Sequence, residues 1–428
     1  MYLAGSKARQ DAGDQAAPTS VGRRVAGAGT TAIALGSVSL LTDLSSEMVT
    51  AVLPLYLVVG LGMSPLQFGL LDGLYNGVTA FVRLLGGHVA DRWSRHKLVA
   101  GIGYALSAVC KPLLLLAGAN TTALSATLAV DRIGKGIRTA PRDALISLSV
   151  DDAHQGRAFG VHRAMDTAGA LAGPLVAFLL LWLVADAFDA VFMVSFCVAS
   201  LGVLVLIAFV PGRTAPATAE PRPTLRRTVG IVRGPRFRRL LIAATLLGLV
   251  TIGDGFLYLG VQDRVHIDPA FFPLLPLGSA AVYLLLAVPF GRWADRIGRR
   301  VPFLLGNVAL LGAYLVPLLP LAPVVLIPAV LGLLGVFYAA TDGVLMALAG
   351  PLIPRSNRAG GMALLQTGQA AGRLLAAVLF GAAWTLWGAA PAFGGAACAL
   401  LAAVVVAVVL IRPESRGSSA SDSLEDVS

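Results

Sequence analysis

Long apolar runs separated by short polar turns dominate the sequence from residue 26 to residue 411. Each run holds the roughly 20 apolar residues that a helix needs to cross a bilayer. Because backbone groups inside a bilayer must bond within their own segment, such runs predict helices. We predict twelve spans, at 26–60, 66–90, 98–117, 121–149, 157–184, 188–210, 239–260, 270–291, 301–319, 323–349, 359–387 and 391–411.

Three polar segments interrupt this pattern and divide the chain. Residues 1–24 and 412–428 predict cytoplasmic tails, the second of them disordered, and the Pro- and Arg-rich stretch 211–238 predicts a linker. Between them lie two bundles of six spans, at 25–210 and 239–411. The pattern therefore indicates an all-α membrane protein with 12 transmembrane helices in two bundles.

Basic residues crowd into alternate turns. The turns after spans 2, 6, 8 and 10 carry most of the Arg and Lys, which places both termini in the cytoplasm. Only 13% of the residues are charged, far below the roughly 25% of soluble domains, so we expect a multi-pass protein of the bacterial cytoplasmic membrane. The net charge of +10 is spread over these turns, which argues against a nucleic-acid partner.

Motifs for metal, cofactor or covalent chemistry are missing from the sequence. Cys110, Cys197 and Cys398 stand far apart in apolar runs, which predicts free thiols and no metal site. There is no phosphate-binding G-x-x-x-x-G-K-S/T loop and no nucleophile elbow. We therefore expect no cofactor, and we disfavour ATP-driven transport and a membrane enzyme.

The two bundles repeat each other in sequence. GGHVADRWSRHK (86–97) follows span 2, and GRWADRIGRR (291–300) follows span 8, so that Asp91 and Asp295 occupy matching positions. A weaker echo pairs Asp143 with Asp342. Matching halves of this kind predict two pseudo-symmetric bundles around a site near the middle of the membrane.

These turns resemble the loop signature G-x-L-A-D-R-x-G-R-R/K of the major facilitator superfamily, and the resemblance covers about residues 30–411. Span 4 contains Arg132-Ile133-Gly134-Lys135-Gly136, similar to the family motif R-x-x-Q-G with Lys in place of Gln. Span 5 has the spacing of the antiporter motif, which favours exporters of the drug:proton antiporter type. That motif is formed by Gly160, Gly169, Gly173 and Pro174.

The resemblance implies roles for these positions. Arg132 would take part in proton coupling, and the small residues of span 5 would let helices pack closely. The loop motif and its copy would gate the transporter through Gly87, Asp91, Arg92, Arg95, Gly291, Asp295, Arg296 and Arg299.

Ionisable residues inside the spans predict a cavity or charged partners, because each costs at least about 2.5–3.5 kcal/mol at the bilayer centre. Asp43 and Glu47 lie one turn apart in span 1, where mutual repulsion favours proton binding by one of them. With Arg132 they are our predicted proton-coupling residues, and structural pairing with span 4 is the alternative.

The remaining buried polar residues are assigned to the cavity or to a gate. The predicted cavity residues are Asp72, Asp131, Lys135, Asp254, Asp342 and Gln366. The predicted cytoplasmic gate is formed by Arg138, Arg142 and Asp143, for which a simple interfacial position is the alternative. The sequence assigns no role to Lys111 or His162.

Together these features predict a monomeric, proton-coupled secondary transporter that moves a small molecule across the lipid bilayer by alternating access, with export the favoured direction. The bases of span 4 favour an anionic or zwitterionic substrate. A symporter that imports a small anion or a metal chelate is the main alternative. A non-transporting sensor or scaffold is the alternative from another class.

Overall fold

The computed structural model describes residues 20–75, 77–78, 82, 96–150, 154–212, 230–354 and 358–411, without the side chains of 20–30, 140 and 358–359. Within these ranges every regular element is helical. The first copy of the loop motif, with Gly87, Asp91, Arg92 and Arg95, lies outside the described residues.

Among the described residues, six α-helices in the N-terminal half match the first six predicted spans, the second of them over 65–75. The first ends in a π-helical turn at Tyr56–Gly60, and the Asn120 side chain caps the fourth by accepting a hydrogen bond from the Ala123 amide at 3.0 Å. The helices are α1 Ser20–Leu55, α2 at 65–75, α3 His96–Ala117, α4 Thr121–Ser147, α5 Gln155–Leu183 and α6 Phe188–Phe209.

Among the described residues, the C-terminal half has eight α-helices, because two predicted spans are each divided into two. The helices are α7 Pro235–Leu249, α8 Asp254–Val265, α9 Leu274–Ile297, α10 Arg300–Leu315, α11 Pro323–Thr341, α12 Val344–Ala349, α13 Arg358–Trp387 and α14 Ala389–Leu410. Across the described residues, ten helical stretches are long and apolar enough to cross a membrane.

The two breaks correct the prediction of continuous helices at 239–260 and 323–349. The first falls between α7 and α8, where the Tyr314 hydroxyl accepts from the Ile252 amide and donates to the Val250 carbonyl. The second follows Asp342, where Gly343 has a φ of +75° that glycine tolerates. Hydropathy cannot reveal such breaks because the flanking residues stay apolar, and neighbouring groups satisfy the freed backbone.

The same contacts recur in both halves, which supports the predicted repeat. The Lys97 ammonium, at the start of α3, donates to the Ile207 carbonyl near the end of α6 at 2.9 Å. The Arg300 guanidinium, at the start of α10, donates to the Val408 carbonyl near the end of α14 at 2.6 Å. In each half a cation thus binds the carboxyl-terminal end of the last helix.

Glycine contacts between helices are also repeated. A methyl group on Gly173 of α5 would lie 2.8 Å from the Leu44 carbonyl oxygen and from the Met48 amide nitrogen of α1. A methyl group on Gly372 of α13 would lie 2.7 Å from the Thr245 oxygen and 2.8 Å from the Leu249 nitrogen of α7. The pairs α1–α5 and α7–α13 are therefore equivalent.

This equivalence sets the register between the halves for the two helix pairs. On α1 and α7, Leu44 corresponds to Thr245, because each supplies its carbonyl oxygen to the contact. Met48 corresponds to Leu249, because each supplies its amide nitrogen. On α5 and α13, Gly173 corresponds to Gly372. We call these correspondences the repeat register, and it assigns every other residue of these helices a counterpart.

The contact between α3 and α4 gives a different register from the one that the sequence echo predicts. Gly103 of α3 packs on the Gly134 carbonyl of α4, and Gly306 of α10 packs on the Phe337 carbonyl of α11. If α4 is aligned with α11 so that Gly134 corresponds to Phe337, the counterpart of Asp342 is Thr139. The predicted equivalence of Asp342 with Asp143 is therefore wrong.

The two halves meet at the end of the bundle that lacks arginine-rich turns, which we call the outer end. Here the Leu66 amide donates to Thr385 Oγ1 at 2.9 Å, and the rings of Phe178 and Phe271 lie 5.4 Å apart. At the opposite, arginine-rich end, a methyl group on Gly160 would meet no atom of a described residue within 4 Å. The described contacts thus correspond to a state closed at the outer end.

Candidate functional site

A cavity of about 380 Å³ lies between the two halves, bounded by α1, α2, the broken α7–α8 pair, α9, α11 and α13. This volume suits a small molecule, since ligand cavities start at about 300 Å³. Its aromatic walls are formed by Phe68, Tyr75, Tyr258, Tyr283 and Tyr338. The cavity is therefore large enough and apolar enough to hold an organic solute.

Acidic side chains outnumber basic ones in the described lining of this cavity. The carboxylates are Glu47, Asp72, Asp254 and Asp342, and the one base among the described lining residues is Arg373. The bases of α4 do not line the cavity within the described residues. The sequence-based preference for an anionic or zwitterionic substrate rested on those bases, so the described lining does not support it.

The helix breaks hold two of these acids against tyrosines. The Tyr338 hydroxyl lies 2.8 and 2.9 Å from the two carboxylate oxygens of Asp254, which is the first residue of α8. The Tyr283 hydroxyl donates to Asp342, next to the second break, at 3.5 Å. Broken membrane helices commonly supply the binding groups of secondary transporters.

A second cavity of about 220 Å³ adjoins the first within the C-terminal half. The two share Thr251, Tyr338, Asp342 and Arg373 in their linings. Its other polar walls include amides, among them the predicted residue Gln366. Gln366 therefore lies beside the central cavity rather than in its lining.

Asp131 is held in a buried cluster between α3 and α4, away from the cavity. Its carboxylate accepts from Ser107 Oγ at 2.6 Å and from Lys111 Nζ at 2.9 Å, and it also pairs with the Arg132 guanidinium. Asp131 is 2% exposed, so the pairing offsets the cost of burying the charge. This cluster also gives Lys111, which the sequence left unassigned, a structural contact.

Arg132 connects this cluster to the cavity. Its guanidinium carbon lies 3.7 Å from the centre of the Tyr75 ring, which is cation–π contact, and Tyr75 lines the cavity. The Tyr75 hydroxyl bonds to Thr50 Oγ1 of α1 at 2.8 Å. Arg132 therefore lies one side chain behind the cavity wall.

Asp43 and Glu47 have different surroundings although they lie one turn apart on α1. Asp43 pairs with Arg138 of α4 at 3.6 Å, whereas Glu47 lines the cavity. Gly173, the third glycine of the α5 motif, packs directly against Glu47 Cβ. Lys135, predicted to line the cavity, has no ion pair within 4.0 Å among the described residues.

The arginine-rich end of the N-terminal half contains the predicted gate. Arg142 lies 3.0 Å from Asp143 and 3.8 Å from Asp166 of α5. His162 Nε2 and Ser39 Oγ, on α5 and α1, are hydrogen-bonded at 2.7 Å. The sequence left His162 without a role, because its partner is 123 residues away in the chain.

The second copy of the loop motif forms the turn between α9 and α10. Arg299 lies 3.8 Å from Asp295 and donates to the Ala347 carbonyl of α12 at 2.7 Å, while Arg296 is in the last turn of α9. Gly298 makes the turn with a φ of +93°, and a methyl group on Gly291 would contact none of the residues that the structure describes. The motif thus attaches this turn to α12.

A bundle of membrane helices in two equivalent halves, with a cavity between them that is closed at one end, defines a small-molecule transporter. The family described as Major Facilitator Superfamily matches residues 35–277 and 255–427, and the chain belongs to that family. It is therefore a multi-pass membrane protein that performs secondary transport by alternating access, and its relatives are transporters rather than enzymes.

Curated relatives cover most of the chain. An uncharacterised MFS-type transporter of Methanocaldococcus jannaschii is 32% identical over 282 residues, which is 64% of this chain and 68% of that protein. An uncharacterised protein of Mycobacterium bovis is 29% identical over 337 residues, 74% of this chain and 73% of that protein. The multidrug resistance protein MdtH of Photorhabdus laumondii is 23% identical over 313 residues, 71% and 73% of the two chains.

Solved structures share the fold at low sequence identity. The nucleoside transporter NupG superposes with a TM-score of 0.76 at 15% identity, covering 90% of this chain and all of NupG. A POT family transporter in complex with 5-aminolevulinic acid gives a TM-score of 0.70 at 14% identity, covering 89% and 95% of the two chains. At these identities the likeness establishes the fold alone.

Proposed function

We propose that the protein is a proton-coupled antiporter that exports a small organic cation, with Glu47 as the carboxylate that proton and substrate compete for. The observation that carries the proposal is the carboxylate-rich lining of a cavity between the two halves that is closed at one end. A carboxylate that can be neutralised either by a proton or by a cation exchanges one for the other, and this exchange is antiport.

The positions of the bases support the proposed positive charge of the substrate. In the N-terminal half Arg132 and Arg138 pair with Asp131 and Asp43, behind the cavity wall. In the C-terminal half the lining holds two aspartates, Asp254 and Asp342, against Arg373. The tyrosines around these groups add ring faces, which attract cations. The cavity therefore suits a cation with an apolar body.

The repeated architecture supports a functional role for Glu47. In the repeat register Glu47 corresponds to Gly248, which packs against Gln369 of α13 in the same kind of helix contact. The fold thus forms this helix pair without an acid, so packing alone does not require a carboxylate at Glu47.

Two features favour export over import. Gly169 and Gly173 of the antiporter motif pack against α1, beside the proposed coupling carboxylate. The similarity to a multidrug resistance protein points the same way. Import by symport is the alternative, and the sign of the driving proton gradient separates the two.

The test is uptake by proteoliposomes of a series of labelled quaternary ammonium ions, with neutral and carboxylate compounds of matched size. An acidic lumen should drive cation uptake, and collapsing the gradient with a proton ionophore should abolish it. Glu47→Gln should slow gradient-driven uptake by about a hundredfold, because the neutral amide neither carries the proton nor pairs with the cation. Asp263→Asn is the matched control, because Asp263 is exposed near the end of α8 and belongs to neither the predicted gate nor the cavity lining.

Each other outcome contradicts a definite part of the proposal. Uptake driven by an acidic exterior would make the protein a symporter. Uptake of the carboxylates but of no cation would overturn the assigned charge. Proton-driven uptake that survives in Glu47→Gln would remove Glu47 from coupling.

A further inference from the structure

Two carboxyl groups face each other between α1 and α5, one turn below Glu47 toward the arginine-rich end. Asp43 and Asp166 lie within hydrogen-bonding reach of one another. Asp166 Oδ1 is buried and accepts no hydrogen bond from a described residue, because Arg142 at 3.8 Å is too distant to donate one. Ionised carboxylates only accept hydrogen bonds, so a contact between two of them lacks a donor unless one carries a proton.

We propose that Asp43 and Asp166 hold a single shared proton and form a second proton site, which relays protons between Glu47 and the arginine-rich end of the transporter. The assignment adds Asp166, which the sequence analysis placed neither in the coupling set nor in the gate. Its place in the transport cycle rests on the proposed proton coupling, whereas the shared proton itself does not.

The charges around the pair come from three helices. Arg138 lies 3.6 Å from Asp43, and Arg163 lies 3.6 Å from Asp166. These cations favour the singly ionised form of the pair over a doubly protonated one. The other charged or titratable groups that face the pair are Glu47 on α1, Lys135 and Arg142 on α4, and His162 on α5, and Asp143 lies beside Arg142 at 3.0 Å.

The two equivalent positions in the C-terminal half are apolar. In the repeat register Asp43 corresponds to Ala244 of α7, which directly precedes the contact residue Thr245. Asp166 corresponds to Leu365 of α13, and both counterparts are fully buried. The same helix pair therefore packs with an apolar contact, so the acids serve a purpose other than holding the helices together.

The position of the pair suits a relay. Asp43 is one turn from Glu47, and the Asp166 side chain is 17% exposed, close to the charged groups of the arginine-rich end. A proton that leaves Glu47 is accepted by the ionised member of the pair, and the proton already held there leaves through Asp166. The first transfer, from Glu47, neutralises the pair, and the second, from Asp166 to solvent at the arginine-rich end, restores its single negative charge, so that the two together move one proton and leave the pair as it was.

The shared proton is tested by infrared spectroscopy of protein labelled with carboxyl-¹³C aspartate, near neutral pH. We expect a C=O stretching band of a protonated aspartic acid in the unmodified protein, lost in both Asp43→Asn and Asp166→Asn. Asp254→Asn and Glu47→Gln are the controls and should keep it. A protein without the band, or a band that disappears in only one of the two aspartate variants, overturns the proposal.

The relay is tested in the proteoliposome assay. Asp166→Asn should slow proton-driven uptake by about a hundredfold while exchange of labelled for unlabelled cation continues. Full proton-driven uptake by this variant would contradict the relay. If the unmodified protein shows no proton-driven transport, the proposed function fails, while the infrared band still decides whether the pair shares a proton.

Discussion

At the residue scale, the charges of α4 that look alike in the sequence divide into groups with different surroundings. Asp131 and Arg132 are buried in a cluster with Lys111, whereas Arg142 lies at the arginine-rich end with Asp166. The sequence predicted that these charges need partners, and the ion pairs are those partners. It could not identify Lys111 or Asp166 as partners, because both belong to other helices and neither is part of a motif.

Asp131→Asn is expected to destabilise the protein strongly. The substitution leaves the Lys111 ammonium and the Arg132 guanidinium without their shared carboxylate, and breaking a buried pair costs about 3–5 kcal/mol. The thermal midpoint of the purified protein in detergent should fall accordingly, and Asp263→Asn at an exposed site should leave it in place. An unchanged midpoint in Asp131→Asn would show that the cluster does not stabilise the fold.

At the scale of elements, glycines determine which helices approach closely. The α5 motif predicted close packing, and Gly169 and Gly173 do lie against the backbone of α1. The same motif includes Gly160, around which the described residues leave open space. Gly368 and Gly372 repeat the contact between α13 and α7. A search for this spacing in the second half would have found them.

Gly173→Ala is expected to destabilise the α1–α5 pair, because its methyl group would lie 2.8 Å from backbone atoms of Leu44 and Met48. Overpacking of this kind costs about 1–3 kcal/mol. Gly160→Ala, on the same helix, is the matched control and should be neutral or slightly stabilising, since alanine favours helices. Thermal unfolding of both variants in detergent measures the difference, and equal midpoints would contradict the packing role.

At the scale of the whole molecule, the structure is closed at the outer end by contacts between α2 and α13 and between α5 and the residues that follow α8. Alternating access requires these contacts to separate in the other state of the transporter. The central cavity lies below this closure, so a solute in it can leave through the outer end only after the two halves part.

A disulfide across the outer end should lock the transporter. In a background without Cys110, Cys197 and Cys398, the pair Leu66→Cys and Thr385→Cys is expected to oxidise readily, since the two positions are hydrogen-bonded in this state. Oxidation should abolish uptake and protect both thiols from labelling, and a reductant should restore both. The single-cysteine variants are the controls. Continued uptake by the cross-linked protein would show that transport does not require the outer end to open.

The sequence by itself determined the membrane class, the helical fold and its repeated halves, because bilayer length and backbone hydrogen bonding leave few alternatives to an apolar helix. It also identified Glu47, Asp254 and Asp342 as polar residues in unusual places. Only the tertiary structure decided which of them share a cavity. Two things depend on contacts between distant helices: the positions of the breaks before Asp254 and after Asp342, and the partner of each charge. Hydropathy records how apolar a residue is, and it contains no information about which neighbour each residue meets.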